Sequence, residues 1–123
     1  MSADVDLDLV RALVGAVGQP TAQPADIEAV LAAHGPMATG RVLALPAARC
    51  SADVLFRGNR GIDVPRLESA FGRARPTHTL DGDGGAECYW DVPVTSSDHV
   101  ILVAELDEAE SRATGFRLTP YTL

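Results

Sequence analysis

The stretch "AECYWDVPV", residues 86–94, decides the fold. Ala86, Cys88, Trp90, Val92 and Val94 alternate with Glu87, Tyr89, Asp91 and Pro93. A period of two belongs to a strand with one buried and one wet face. Trp90 is thereby assigned to a core and Tyr89 to a surface. The residues just before it, "DGDGG" (81–85), invite a metal-loop reading. A calcium loop of the EF-hand kind needs oxygen ligands at positions 1, 3 and 5, Gly at 6 and Glu at 12. Counting from Asp81, Asp83 fits position 3, but Gly85, Ala86 and Val92 fall at positions 5, 6 and 12. Asp-Gly pairs supply the positive φ angles of a hairpin, so "DGDGG" reads as the turn into the strand.

Downstream the same pattern continues. "HVILVAEL" (99–106) is apolar on both faces, which suits a central strand, and "RATGFRLT" (112–119) places Phe116 and Leu118 on one face. The linkers "TSSD" and "DEAES" are polar and hairpin-sized. Together with a strand at 76–80, these segments predict an antiparallel meander from about Thr77 to Thr119.

Upstream the period changes. Leu7, Val10, Val14 and Val17 recur at helical spacing, with Asp4, Asp6 and Asp8 in the first turns, where the helix dipole favours anions. This predicts a helix over 4–17, stopped by Gly18 and Pro20. A second helix, 25–34, carries Ile27, Val30, Leu31 and His34 on one face and ends at "HGP". Two short apolar segments, 41–45 and 52–57, read as strands, and "GNRG" (58–61) as a turn. A third helix is expected over 63–71, with the Asp63 carboxylate as cap and Pro65 in the first turn. Ile62 and Leu67 form its hydrophobic staple, Val64, Leu67 and Phe71 its buried stripe, and Gly72 its end. The expected fold is thus one α+β domain, residues 1–123, with N-terminal helices and one mid-chain helix packed on a mainly antiparallel sheet. The order of helix, glycine stop and meander over residues 62–119 resembles the small α+β units of β-lactamase-inhibitor and outer-membrane-assembly lipoproteins. The likeness is one of topology, and no lipidation signal accompanies it.

Composition narrows the function classes. All ten basic residues are Arg, and Ala, Val, Gly and Asp abound, as in proteins of GC-rich bacterial genomes. The net charge of -7 argues against broad nucleic-acid binding, which needs a basic stripe. Charge is segregated: residues 41–77 hold seven Arg against Asp53, Asp63 and Glu68, while residues 78–123 hold nine acids against Arg112 and Arg117. The acidic opening "MSADVDLDLV" is unlike a secretory signal, and no apolar run approaches the roughly 20 residues that span a bilayer. A cytoplasmic protein with two reduced thiols, Cys50 and Cys88, is the default expectation; one disulfide stays open for a chain that has lost a signal peptide.

No catalytic constellation assembles in the sequence. His34, His78 and His99 lack zinc-ligand spacing, and no CxxC, HExxH, G-x-S-x-G, Walker or Rossmann fingerprint occurs. Cys88 shares the Trp90 face and reads as core; Cys50, beside Arg49, reads as a loop thiol whose pKa the guanidinium would lower. No metal or cofactor is expected. Arg57, Arg60, Arg73 and Arg75 flank the third helix and are candidates for an anion site, set against ion pairing with the acidic strands. Glu87, Tyr89 and Asp91, with the acidic loop Asp107, Glu108 and Glu110, are candidates for a protein-binding surface. The leading expectation is a non-enzymatic, acidic protein-binding module of the immunity, inhibitor or accessory-subunit kind, with a basic protein as partner. The alternative is a small-molecule or anion-binding protein, or a small enzyme, with a pocket between helices and sheet. A homodimer through strand edges or helix faces is a third arrangement.

Overall fold

The computed structural model describes residues 5–34, 38–44, 49–58, 60–76, 86–109 and 111–123. In chain order they form α1 (Val5–Val17), α2 (Pro24–Ala33), β1 (Ala38–Ala44), β2 (Cys50–Phe56), β3 (Ile62–Asp63), α3 (Val64–Phe71), β4 (Arg75–Pro76), β5 (Glu87–Pro93), β6 (Asp98–Leu106) and β7 (Arg112–Thr122). All pairings are antiparallel, in the order β1-β2-β7-β6-β5-β4, with β3 paired to β7. The fold is α+β. The meander is β5-β6-β7, and β7 then pairs with β2, so the early hairpin β1-β2 extends the same sheet. The turn "DGDGG", His78 and residues 77–80 of the expected strand 76–80 lie outside the described residues.

Alternation holds along each long strand. Cys88 and Trp90 on β5, Val100, Leu102 and Ala104 on β6, Phe116 and Leu118 on β7, and Ala52, Val54 and Phe56 on β2 are all buried. They join Leu9, Val10, Leu13, Val14 and Val17 of α1, Ile27 of α2 and Leu67 of α3 in one core. The helices therefore lie on one side of the sheet. Burying these aliphatic side chains contributes on the order of 1.5–3 kcal/mol each before chain entropy is set against it. Packing is close enough to require particular glycines. A Cβ on Gly18, where α1 ends, would stand 2.4 Å from Val94 Cγ2, and one on Gly61 would stand 2.7 Å from the main-chain oxygen of Ala113.

Four sequence-based expectations need correction. Asp63 occupies the N-cap of α3 but its carboxylate makes no capping bond; Oδ1 lies 3.5 Å from Arg112 Nε, because pairing β3 with β7 brings that guanidinium alongside. Of the expected stripe on α3, only Leu67 is fully buried, since the helix sits at the margin of the sheet; Val64 and Phe71 are half-buried. Cys50 is no loop residue: it opens β2 with its side chain in the core, 4% exposed. Strand β7 runs past Thr119 through Pro120 to Thr122. Its pairing with β2 ends at Leu118, so beyond that point β7 is an edge on that side, where proline is tolerated.

Candidate functional site

The sheet has a second face, and among the described residues no helix covers it. Its side chains follow from the register. One row runs Arg75, Tyr89, Val103, Arg117, Asp53, Arg41 across β4, β5, β6, β7, β2 and β1. On one side of it lies the row Glu87, Glu105, Gly115, Leu55, Thr39. On the other lie Asp91, Ile101, Thr119 and then Pro93, His99, Tyr121. Tyr89, Ile101, Val103, His99 and Tyr121 are half-buried by their neighbours alone. Leu55 is 56% exposed and Leu43 39%. A shallow depression of about 590 Å³ lies at the β1-β2 end, lined by residues that include Thr39, Arg41, Asp53, Leu55, Glu105 and Arg117.

The charges on this face largely answer one another. Arg41 Nη2 lies 3.0 Å from Asp53 Oδ2, and Arg117 Nη2 lies 3.6 Å from Glu87 Oε2 and 3.9 Å from Glu105 Oε1. Exposed pairs of this kind add little stability. Their consequence is a face whose middle is apolar and aromatic and whose ions are already matched.

Three strands bring Asp91, His99 and Tyr121 together. His99 Nδ1 lies 2.8 Å from Asp91 Oδ1, the Tyr121 hydroxyl donates to Asp91 Oδ2, and the two rings sit 5.2 Å apart. Tyr121's hydrogen bond, then His99's bond and charge, hold the Asp91 carboxyl below its ordinary range against the opposing effect of burial. The same bond raises the Tyr121 phenol, because ionisation would give up the donor. An Asp–His pair can orient an imidazole as a base. Among the described residues, however, no serine or cysteine hydrogen-bonds His99, and both thiols lie on the opposite, helix-covered face. No group of three metal-ligating side chains occurs among the described residues.

This cluster makes a pH-dependent prediction. A depressed carboxyl adds stability that is present above its unfolded pKa, about 4, and lost as pH falls through the lower folded value. A raised phenol adds stability that is present below about 10 and lost as pH rises through the higher folded value. Tyr121→Phe is therefore expected to destabilise most between about pH 5 and 9, with the deficit shrinking at both extremes. Urea unfolding of both proteins across pH measures it; a deficit independent of pH would contradict the bond.

Of the residues singled out from sequence, Glu87, Tyr89 and Asp91 share the open face. The β6-β7 turn follows Leu106, whose N–H donates to the Ala86 carbonyl, so Asp107 and Glu108 stand at the Glu87 end. Asp107 serves the turn itself, accepting from the Ser111 and Arg112 amides at 3.0 and 3.3 Å; Glu108 is exposed, and Glu110 lies outside the described residues. The four candidate anion-site arginines divide. Arg57 donates to Thr39 Oγ1 (3.2 Å), and Arg60 pairs with Asp6 of α1 (2.9 Å). Arg73 and Arg75 instead line a cleft of about 510 Å³ with Phe71, Ala74, Trp90 and Asp91. Sequence reading offered Tyr121, with Tyr89, as an interface anchor but overlooked Ile101 and Val103 as site residues, although the alternation of "HVILVAEL" already places those two together on one face.

Among the described residues no helix is long and apolar enough to cross a membrane. The chain matches no protein-family profile, no curated protein and no solved structure.

Proposed function

We propose that this chain is a non-enzymatic protein-binding module of the immunity, inhibitor or accessory-subunit kind, acting in a bacterial cytoplasm through the open face of its sheet. One observation carries the reading: Tyr89, Ile101, Val103 and Tyr121 form a half-buried apolar centre with no helix over it among the described residues. Interface cores are aromatic and apolar with polar rims, which is the composition this face offers. The net charge of -7 and the rim acids Glu87, Asp91, Glu105 and Glu108 favour a basic partner by steering its approach.

The test is capture from an extract of the source cell on immobilised protein, run in parallel with Val103→Asp and with the pair Glu87→Arg, Asp91→Arg. A partner retained by the native chain, lost by Val103→Asp and slowed in association by the charge reversals supports the open face. Recovery of the same proteins in the same amounts by all three would overturn it.

A further inference from the structure

Where α3 ends, the chain passes from Phe71 through Gly72 to the short strand β4, and a cleft of about 510 Å³ opens against β5. We propose that this cleft binds a small organic oxyanion, a carboxylate or phosphate carried on an apolar body. Its volume falls within the roughly 300–1,000 Å³ of small-molecule sites. Phe71 and the nearly buried Trp90, ring centroids 6.2 Å apart, and the exposed Arg73 and Arg75 are all among its lining residues, which puts apolar and cationic side chains at one opening. Guanidinium groups suit both oxyanions through paired, parallel hydrogen bonds.

The charge balance favours an anion at this place in particular. Among the described residues Asp91 is the one acid lining the cleft, and its two oxygens already accept from His99 and Tyr121. Arg75 acts on Asp91 through space, whereas Arg73 has no ion-pair partner among the described residues. Among the described residues, two cations against one committed carboxylate leave an excess of positive charge at the cleft, in a chain whose total is -7. Such an excess is local to the cleft, so it selects ligands there without making the whole surface cationic.

The walls are fixed before any ligand arrives, which lowers the ordering cost of binding. The Gly72 amide donates to the Glu68 carbonyl (2.9 Å), and the Trp90 indole N–H donates to the Gly72 carbonyl (2.7 Å). Glu68 Oε2 accepts the Ala74 amide at 3.0 Å, and Arg75 is held in register with Tyr89. Gly72 itself has φ +95, a conformation that side chains resist, so the bend carrying Arg73 past the helix end depends on that glycine.

Trp90 is the sole tryptophan, and its fluorescence therefore reads the cleft directly. The full chain is titrated with phenyl phosphate, benzoate, inorganic phosphate and benzyl alcohol. A saturable change with phenyl phosphate or benzoate, at a Kd no weaker than about 1 mM, is expected, and whichever binds tighter names the oxyanion. Inorganic phosphate and benzyl alcohol, each carrying half of the recognition, should bind at least tenfold more weakly. The double variant Arg73→Gln, Arg75→Gln alters two exposed side chains and should keep the native circular dichroism while losing at least tenfold in affinity. Absence of a saturable change with both aromatic anions would overturn the proposal. Equal binding by the folded double variant, or by benzyl alcohol, would overturn it as well.

Discussion

Replacing Leu102 by Ala is expected to cost about 2–5 kcal/mol and to lower Tm by on the order of 10 °C. Leu102 is fully buried in the middle of β6, opposite Trp90 on β5 and Leu118 on β7, so three strands pack around it beneath the helices. None of those neighbours can move far to fill the void, because each is held by its own ladder. The loss falls within a total stability of about 5–15 kcal/mol, so the variant should fold but unfold at clearly lower urea, with an unchanged slope. Leu55→Ala is the control: the same truncation on the open face, at a side chain 56% exposed, should stay within about 0.5 kcal/mol. Equal costs at the two sites would contradict the assignment of one face as buried and the other as open.

Periodicity made the local structure legible and left the pairing obscure, for a physical reason. Alternation in 86–94 fixes which side chains share a face, and helical spacing in 5–17 fixes which stripe is buried, because both depend only on neighbours in the chain. Register depends on residues far apart. Nothing local marks β2 as the partner of β7, or places Asp91 beside residues 8 and 30 positions away at His99 and Tyr121. Tertiary context also overrode local chemistry. Asp63 has the residue type and position of a helix cap, yet its carboxylate turns toward Arg112, which the β3-β7 pairing supplies. Arg60 stands just before α3, where an anion would be welcome, and its partner is Asp6 of α1. "HVILVAEL" was legible as a central strand; that its second apolar face meets no helix among the described residues required the whole layer to be seen.

Val103→Asp should leave the fold standing and weaken partner binding by about 100-fold or more, the opposite division of effects from Leu102, one residue earlier on β6. Successive residues of a strand point to opposite faces, so Val103 stands between Tyr89 and Arg117 at the centre of the open face. In the free protein a carboxylate there remains within reach of water and of the Arg117 guanidinium, and the cost should be small. Beneath a partner it would lose that water in an apolar centre, where an uncompensated charge costs about 3–5 kcal/mol, equivalent to a loss of roughly two to four decades in Kd. Glu87→Arg is expected to act differently. Glu87 sits at the rim and already pairs with Arg117, so reversing it should change association rate and salt dependence several-fold while dissociation changes little. Kinetics on the captured partner separate the two effects: a centre substitution acting through dissociation and a rim substitution acting through association place the contact on this face. A Val103→Asp protein that binds within threefold of native would place it elsewhere.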